Sequence, residues 1–174
     1  PVHYVLALIE QARAEGHRII FISDMYLPRE VVRAMLESVG AFHEGDSIYI
    51  SGEVGKTKHT GNLFRRAMAK EKVVPAQVRH TGDNSVADVQ KAREIGISSS
   101  HFTQTHLNRY EQTIVDTDVL PRHIRSQAAG ASRLARLECP YNETHRRTIW
   151  DTGASVAGPL LTGYVAWLLS DAQR

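Results

Sequence analysis

Apolar positions at Val2, Val5, Leu6, Ile9 and Ala12 recur at the spacing of one helical face, which predicts a helix over residues 2–15 that stops at Gly16. The pattern then changes. Residues 18–23 read RIIFIS, an unbroken β-branched and aromatic run of the kind that forms a central parallel strand covered on both faces. Pro28 suits the first turn of a second helix, whose Val31, Val32, Met35, Leu36 and Val39 share a face until Gly40, and SIYIS at 47–51 predicts a second strand. Leu63, Phe64, Ala67 and Met68 mark a helix over 61–70. A short strand over 77–81, a helix over 86–94 closed by Gly96 and a strand-type element over 98–103 complete the series. Strands that alternate with helices imply right-handed crossovers, so the expected fold class is α/β: a Rossmann-like parallel sheet with helices on both faces.

Beyond residue 104 the strand signal ends and helices are predicted over 107–115, 121–137 and 145–172. The expected organisation is therefore an α/β core over 1–104 and a helical C-terminal extension over 105–174. Between residues 120 and 150 six arginines face only Glu138 and Glu143, a run that reads as solvated helix faces, with an anionic ligand or partner as the sharper alternative. The 19 residues 152–170 carry no charge, about the length that spans a bilayer. Gly153, Gly158, Pro159 and Gly163 dilute the segment, so it reads as a buried or interface helix and no stable membrane span is expected.

Composition narrows the classes further. At 174 residues, with 42% hydrophobic and 23% charged residues, the chain can bury a core, and disordered or disulfide-framework readings fall away. A net charge of +2 from 21 basic and 19 acidic residues is too balanced for a dedicated nucleic-acid binder, so no nucleic-acid partner is expected. The single Cys139 forms no internal disulfide and reads as structural, and no charged region followed by an apolar leader is visible; both point to a reducing, cytoplasmic setting.

Ligands of open parallel sheets bind beyond the carboxyl ends of the strands. Four polar residues fall there: Asp24, Ser51, Asp83, and Lys58 in the loop GKTKHTG. Each has a structural reading as a helix cap or turn residue. Together, two carboxylates, a lysine and a hydroxyl can hold a divalent cation and a phosphoryl group. His80 reads as a packed, hydrogen-bonded strand histidine rather than a ligand.

FISDMYLP, YIS, KTKHTG and HTGDNSVADVQKAREIGI resemble, in order and spacing over residues 18–103, the four motifs of the haloacid dehalogenase (HAD) superfamily. DMYLP and the tail GASVAGPLLTGYVAWLL are further similar to a HAD-like module found beside glycosyltransferase domains in bacterial surface-polysaccharide proteins. The resemblance implies a Rossmann-like HAD core and a Mg²⁺-dependent phosphohydrolase or phosphotransferase acting on a phosphorylated sugar, nucleotide or related metabolite. Asp24 would be the nucleophile, forming an aspartyl-phosphate. Mg²⁺ would be held by Asp24, the Tyr26 carbonyl and Asp83, with Asp88 direct or through a water. Ser51 would bond a phosphoryl oxygen. Lys58, preferred to Lys56, would pair with the phosphoryl group and the Asp24 carboxylate.

Two departures stand out. The acid that HAD phosphatases place two residues after the nucleophile is Tyr26 here, a phenol with an ordinary pKa of about 10 and a poor base at neutral pH. Position four is Pro28, without a hydroxyl or a backbone donor. These leave two alternatives: a catalytically weak binding or docking module, and a metal-independent haloacid dehalogenase, which also resembles this chain in its tyrosine. Only 26 residues separate Asp24 from Ser51, so a large cap is not expected. An open site suits a phosphorylated small molecule or a carrier-linked substrate, or closure by a glycosyltransferase domain or a second copy.

Overall fold

The computed structural model of the protein describes residues 2–141 and 143–173. Two compact units form, one ending at Thr103 and the other beginning at Gln104.

In the first unit, helix α1 (His3–Ala14) precedes strand β1 (Ile20–Ser23), helix α2 (Arg29–Ser38) and strand β2 (Ser47–Ile50). Helices α3 (Ser51–Val54) and α4 (Asn62–Glu71) then lead to β3 (Arg79–Gly82), a π-helical turn (Ser85–Gln90), α5 (Lys91–Glu94) and β4 (Ser98–His101). All strand pairing is parallel: Ser23 aligns with Ile50 in β1–β2, and Gly82 with His101 in β3–β4. This register sets the site, because Asp24 and Ser51 leave paired strands at the same level.

Alternation along β1 sorts two cores. Phe21 packs with Val32, Leu36, Ile48 and Ile50 under α2. Ile22 packs with Phe64, Met68, Ala92 and Ile97 under α4 and α5. The helices therefore cover opposite faces, as an α/β fold requires. Hydrogen bonding differs from the single continuous sheet expected, since the described strands ladder as two separate pairs. Ile22 links β1 to the packing beneath β3 through side chains. The third strand also starts late: Pro75–Gln77 forms a 3₁₀ turn in which the Gln77 side chain accepts the Val74 N–H at 2.9 Å, removing Gln77 from the strand.

The second unit contains α6 (Arg109–Asp116), α7 (Arg122–Leu137), α8 (Thr144–Thr152), a π-helical segment (Gly153–Ala157) and α9 (Gly158–Ala172). Asn108 caps α6 and Glu111 completes a reciprocal capping box. Glu111 is fully buried, and the Arg136 guanidinium grips it bidentately at 2.7 and 2.9 Å. Burial works against the Glu111 charge, but Arg136 and the Asn108 backbone N–H outweigh it and hold the carboxyl below its ordinary value. Three members of the arginine run are thus internal braces, because Arg136 also donates to the Gln104 and His106 carbonyls, Arg133 to the Thr105 carbonyl and Arg125 to the Val115 carbonyl.

Of the two readings of residues 152–170, buried or interface helix, the buried one holds only for the first part. Ser155 is buried and bonded by Asn108 at 2.7 Å, but Leu160, Leu161, Tyr164, Trp167 and Leu169 of α9 are all exposed. The first part packs because its small residues admit α7, where Ser132 bonds the Ala154 carbonyl at 3.1 Å. By length and composition alone, Thr144–Ala172 is a helix long and apolar enough to cross a membrane.

Candidate active site

Asp24 follows β1 directly and is exposed at its carboxyl end. Both of its carboxylate oxygens lie within reach of the Lys58 backbone N–H, at 2.9 and 3.1 Å. Lys58 can present that N–H because its loop turns between Gly55 and Gly61, both in the left-handed region at φ 65° and 72°, where a side chain would be strained. The Gly61 N–H closes the turn onto the Lys58 carbonyl at 2.7 Å.

The Lys58 ammonium turns the other way. Its Nζ lies 2.5 Å from Asp88 Oδ1, whose side chain is only 2% exposed. Asp88 is satisfied on both oxygens: His80 Nε2 donates to Oδ1 at 3.0 Å, and the Asn84 backbone N–H to Oδ2 at 3.0 Å. Burial disfavours its charge, yet the bonds from His80, Lys58 and Asn84 prevail and hold the carboxyl far below its ordinary value. Asn84 in turn caps the following turn, accepting the Val86 and Ala87 N–H groups at 3.0 and 2.8 Å.

Two glycines make this packing possible. A Cβ on Gly82 would lie 2.4 Å from Asp88 Cγ, so the carboxylate occupies the space a side chain would fill. At Gly52 a Cβ would come within 3.0 Å of the Met25 carbonyl. That carbonyl accepts both the Ser51 hydroxyl at 3.2 Å and the Gly52 N–H at 3.1 Å, which pins the Asp24–Tyr26 loop to the end of β2.

One expectation about an individual group changes. Lys58 meets Asp24 through its backbone rather than its ammonium, because the loop aims the side chain at a buried charge. Asp88 has both oxygens bonded within the protein, Oδ1 to Lys58 and His80 and Oδ2 to the Asn84 N–H. Asp83 is exposed at the end of β3, with its carbonyl 2.9 Å from His101 Nε2. Tyr26 is 90% exposed, so its phenol lies in solvent. Among the described residues no three His, Cys, Asp or Glu side chains form a cluster able to hold a metal ion. The hard oxygens of Asp24 and Asp83 fit Mg²⁺, which takes one or two carboxylates and completes its shell with water and phosphate.

Sequence reasoning named Asp24, Ser51, Lys58, Asp83 and Asp88 but assigned no positioning part to His80, Gly82, Asn84 or the Met25 carbonyl. The HTGDN string contains three of these. His80 also meets the Phe64 ring edge-on, at 4.9 Å between centroids.

No family model matches the chain. In sequence, 91 residues are 33% identical to phosphoserine phosphatase of Thermus thermophilus, over 52% of this chain and 36% of that protein. In structure, the chain matches a HAD phosphatase from Thermococcus onnurineus with a TM-score of 0.51 and 19% identity, over 60% of this chain and 47% of the other. The chain spans about a third of the length of the first and under half of the second. The structural likeness, with the parallel strands and covering helices, shows a Rossmann-like HAD fold.

Proposed function

We propose that the unit ending at Thr103 is a HAD-type phosphohydrolase site that uses Asp24 as its nucleophile. The observation that carries the reading is the Asp24–Lys58–Asp88 connection at the strand ends: an exposed carboxylate braced by a backbone N–H whose own ammonium is anchored on a buried anion. The similarity to phosphoserine phosphatase supports the same reading.

Asp24 attacks phosphorus, the Oδ–P bond forms as the ester P–O bond breaks, and the leaving oxygen takes a proton from water. Water then cleaves the aspartyl-phosphate, releasing inorganic phosphate and restoring Asp24. Asp24, Asp83 and the Tyr26 carbonyl would hold Mg²⁺, which when bound neutralises charge on the phosphoryl oxygens. Lys58 holds the attacking Asp24 carboxylate through its backbone N–H while its ammonium stays on Asp88, and Ser51, whose hydroxyl donates to the Met25 carbonyl, keeps the Asp24 loop in place and would bond a phosphoryl oxygen by turning that donor toward it. With only α2 and its connections between β1 and β2, an uncapped site suits a phosphomonoester on a large or carrier-linked molecule, and a glycosyltransferase domain or second copy would be its natural cover.

The test is phosphate release from a panel of phosphomonoesters, phosphoserine first, with Mg²⁺ or with chelator, beside Asp24→Asn. The expected result is Mg²⁺-dependent release that the variant loses. The exposed Tyr26, standing where a base is needed, favours a second reading as a weakly catalytic docking module. Silence across the panel would support that reading, and metal-independent halide release would instead support a dehalogenase.

A further inference from the structure

Strand β2 pairs only with β1 among the described strands, so its other edge has no strand partner. Because α2 and α4 cover opposite faces, that edge lies at the bottom of a groove with a helix on either side. The groove encloses about 510 Å³ and is lined by Ser47, Ile48 and Tyr49 of β2. Its walls are basic on both sides: Arg29 and Arg33 from α2, Arg66 and Lys70 from α4. Arg29 is paired with Glu53 and Arg33 with Glu37. Arg66 and Lys70, one helical turn apart and exposed, make no hydrogen bond or ion pair among the described residues. The acid in the lining, Asp46, is already bonded by Arg13 and by the His43 N–H.

We propose that this groove is a docking site for an acidic peptide segment that adds to the free edge of β2 as a further strand between α2 and α4. A strand edge offers alternating N–H and C=O groups, which another extended backbone matches repeat for repeat. Side chains of the added strand would alternate between the two walls. Both walls carry cations, so a run of consecutive acidic residues is favoured over an alternating one. The same charges exclude the commonest unwanted occupant, because a second copy of this edge would bring its own arginines against these. The proposal does not depend on the phosphohydrolase reading.

A labelled peptide of consecutive glutamates and threonines would be titrated onto the full chain by fluorescence polarisation, with amide hydrogen exchange followed over Ser47–Ile50. Binding is expected to weaken with salt and to slow exchange in β2. The pair Arg66→Glu and Lys70→Glu should weaken it by about tenfold or more, and the neutral pair Arg66→Gln and Lys70→Gln by less. Both pairs lie on an exposed helix face, and unchanged thermal unfolding would show the fold retained. Absence of binding would overturn the proposal. So would equal binding by a backbone N-methylated peptide, by inorganic polyphosphate or by a single-stranded oligonucleotide, because each would show an anion site that does not use the strand edge.

Discussion

The Lys58 ammonium sits 2.5 Å from Asp88 Oδ1, while the backbone N–H of the same lysine reaches the Asp24 carboxylate. One residue thus ties the end of β1 to the turn after β3, and Asp88 decides where its charge points. Asp88→Asn keeps the volume but removes the anion, leaving a largely buried ammonium without its counter-charge. The expected cost is about 1–3 kcal/mol of stability and about ten- to hundredfold in any phosphatase turnover. Denaturant unfolding and steady-state rates would read the two. A double-mutant cycle with Lys58→Met should show positive coupling, and additive losses would mean that the pair is not energetically joined.

Gly82 predicts a sharper steric result. The Cβ of Gly82→Ala would fall 2.4 Å from Asp88 Cγ, so the carboxylate must move and its bonds to Lys58, His80 and the Asn84 N–H must lengthen. Strain of this kind costs about 1–3 kcal/mol, whereas Gly52→Ala, 3.0 Å from the Met25 carbonyl, should cost less. Melting temperatures of the two variants, measured side by side, give the order; equal values would contradict it.

Much of this region is legible in the chain itself, because RIIFIS and SIYIS are local patterns and the polar residue after each one marks a strand end. The partners that matter are not local. Lys58 and Asp88 are 30 positions apart, and no periodicity reveals that the ammonium chooses the buried acid over Asp24. Gln77 reads as strand by neighbourhood, but its side chain captures the Val74 N–H and makes a turn. Leu160, Leu161 and Trp167 read by composition as part of a buried or interface helix, and which of the two holds depends on a covering surface that their own unit does not supply. Arg125 and Arg136 look like solvated charges until folding brings carbonyls and Glu111 to them.

Glu111 and Arg136 give the second unit a defined acid response. The folded Glu111 carboxyl lies below its ordinary value, so the unfolded chain takes up the proton first as pH falls. Its stabilisation is fully present above the ordinary carboxylate range and is lost as pH drops through the lower folded value. Glu111→Gln should cost about 3–5 kcal/mol near neutral pH, since it leaves a buried guanidinium unpaired. It should also flatten the acid limb of the stability profile, which urea unfolding across an acidic pH series would measure. An unchanged acid limb would place that sensitivity elsewhere, with Asp88 the next group to test because its carboxyl is depressed in the same direction.

Tyr26 supplies the last prediction, and it concerns the order of two chemical steps. Transfer of a phosphoryl group to Asp24 relies on in-line approach, which the Lys58 N–H serves by bracing Asp24, and on positive charge at the phosphoryl oxygens, which Mg²⁺ held by Asp24 and Asp83 would supply. Release needs one thing more, a base to take a proton from water, and the residue two positions after Asp24 is a phenol that is 90% exposed. The aspartyl-phosphate should therefore form faster than it is cleared, and rapid quench with a reactive phosphoester should show a burst of leaving group followed by slow turnover. Tyr26→Asp places a carboxylate at that position without disturbing the Met25 carbonyl, which Ser51 and Gly52 continue to hold. Steady-state turnover should rise by about tenfold or more, at the low end of what a positioned base supplies, and the burst should shrink because release no longer lags. A burst that persists at full height in Tyr26→Asp would show that proton removal is not what limits release, and a chain without any burst would count against an accumulating intermediate.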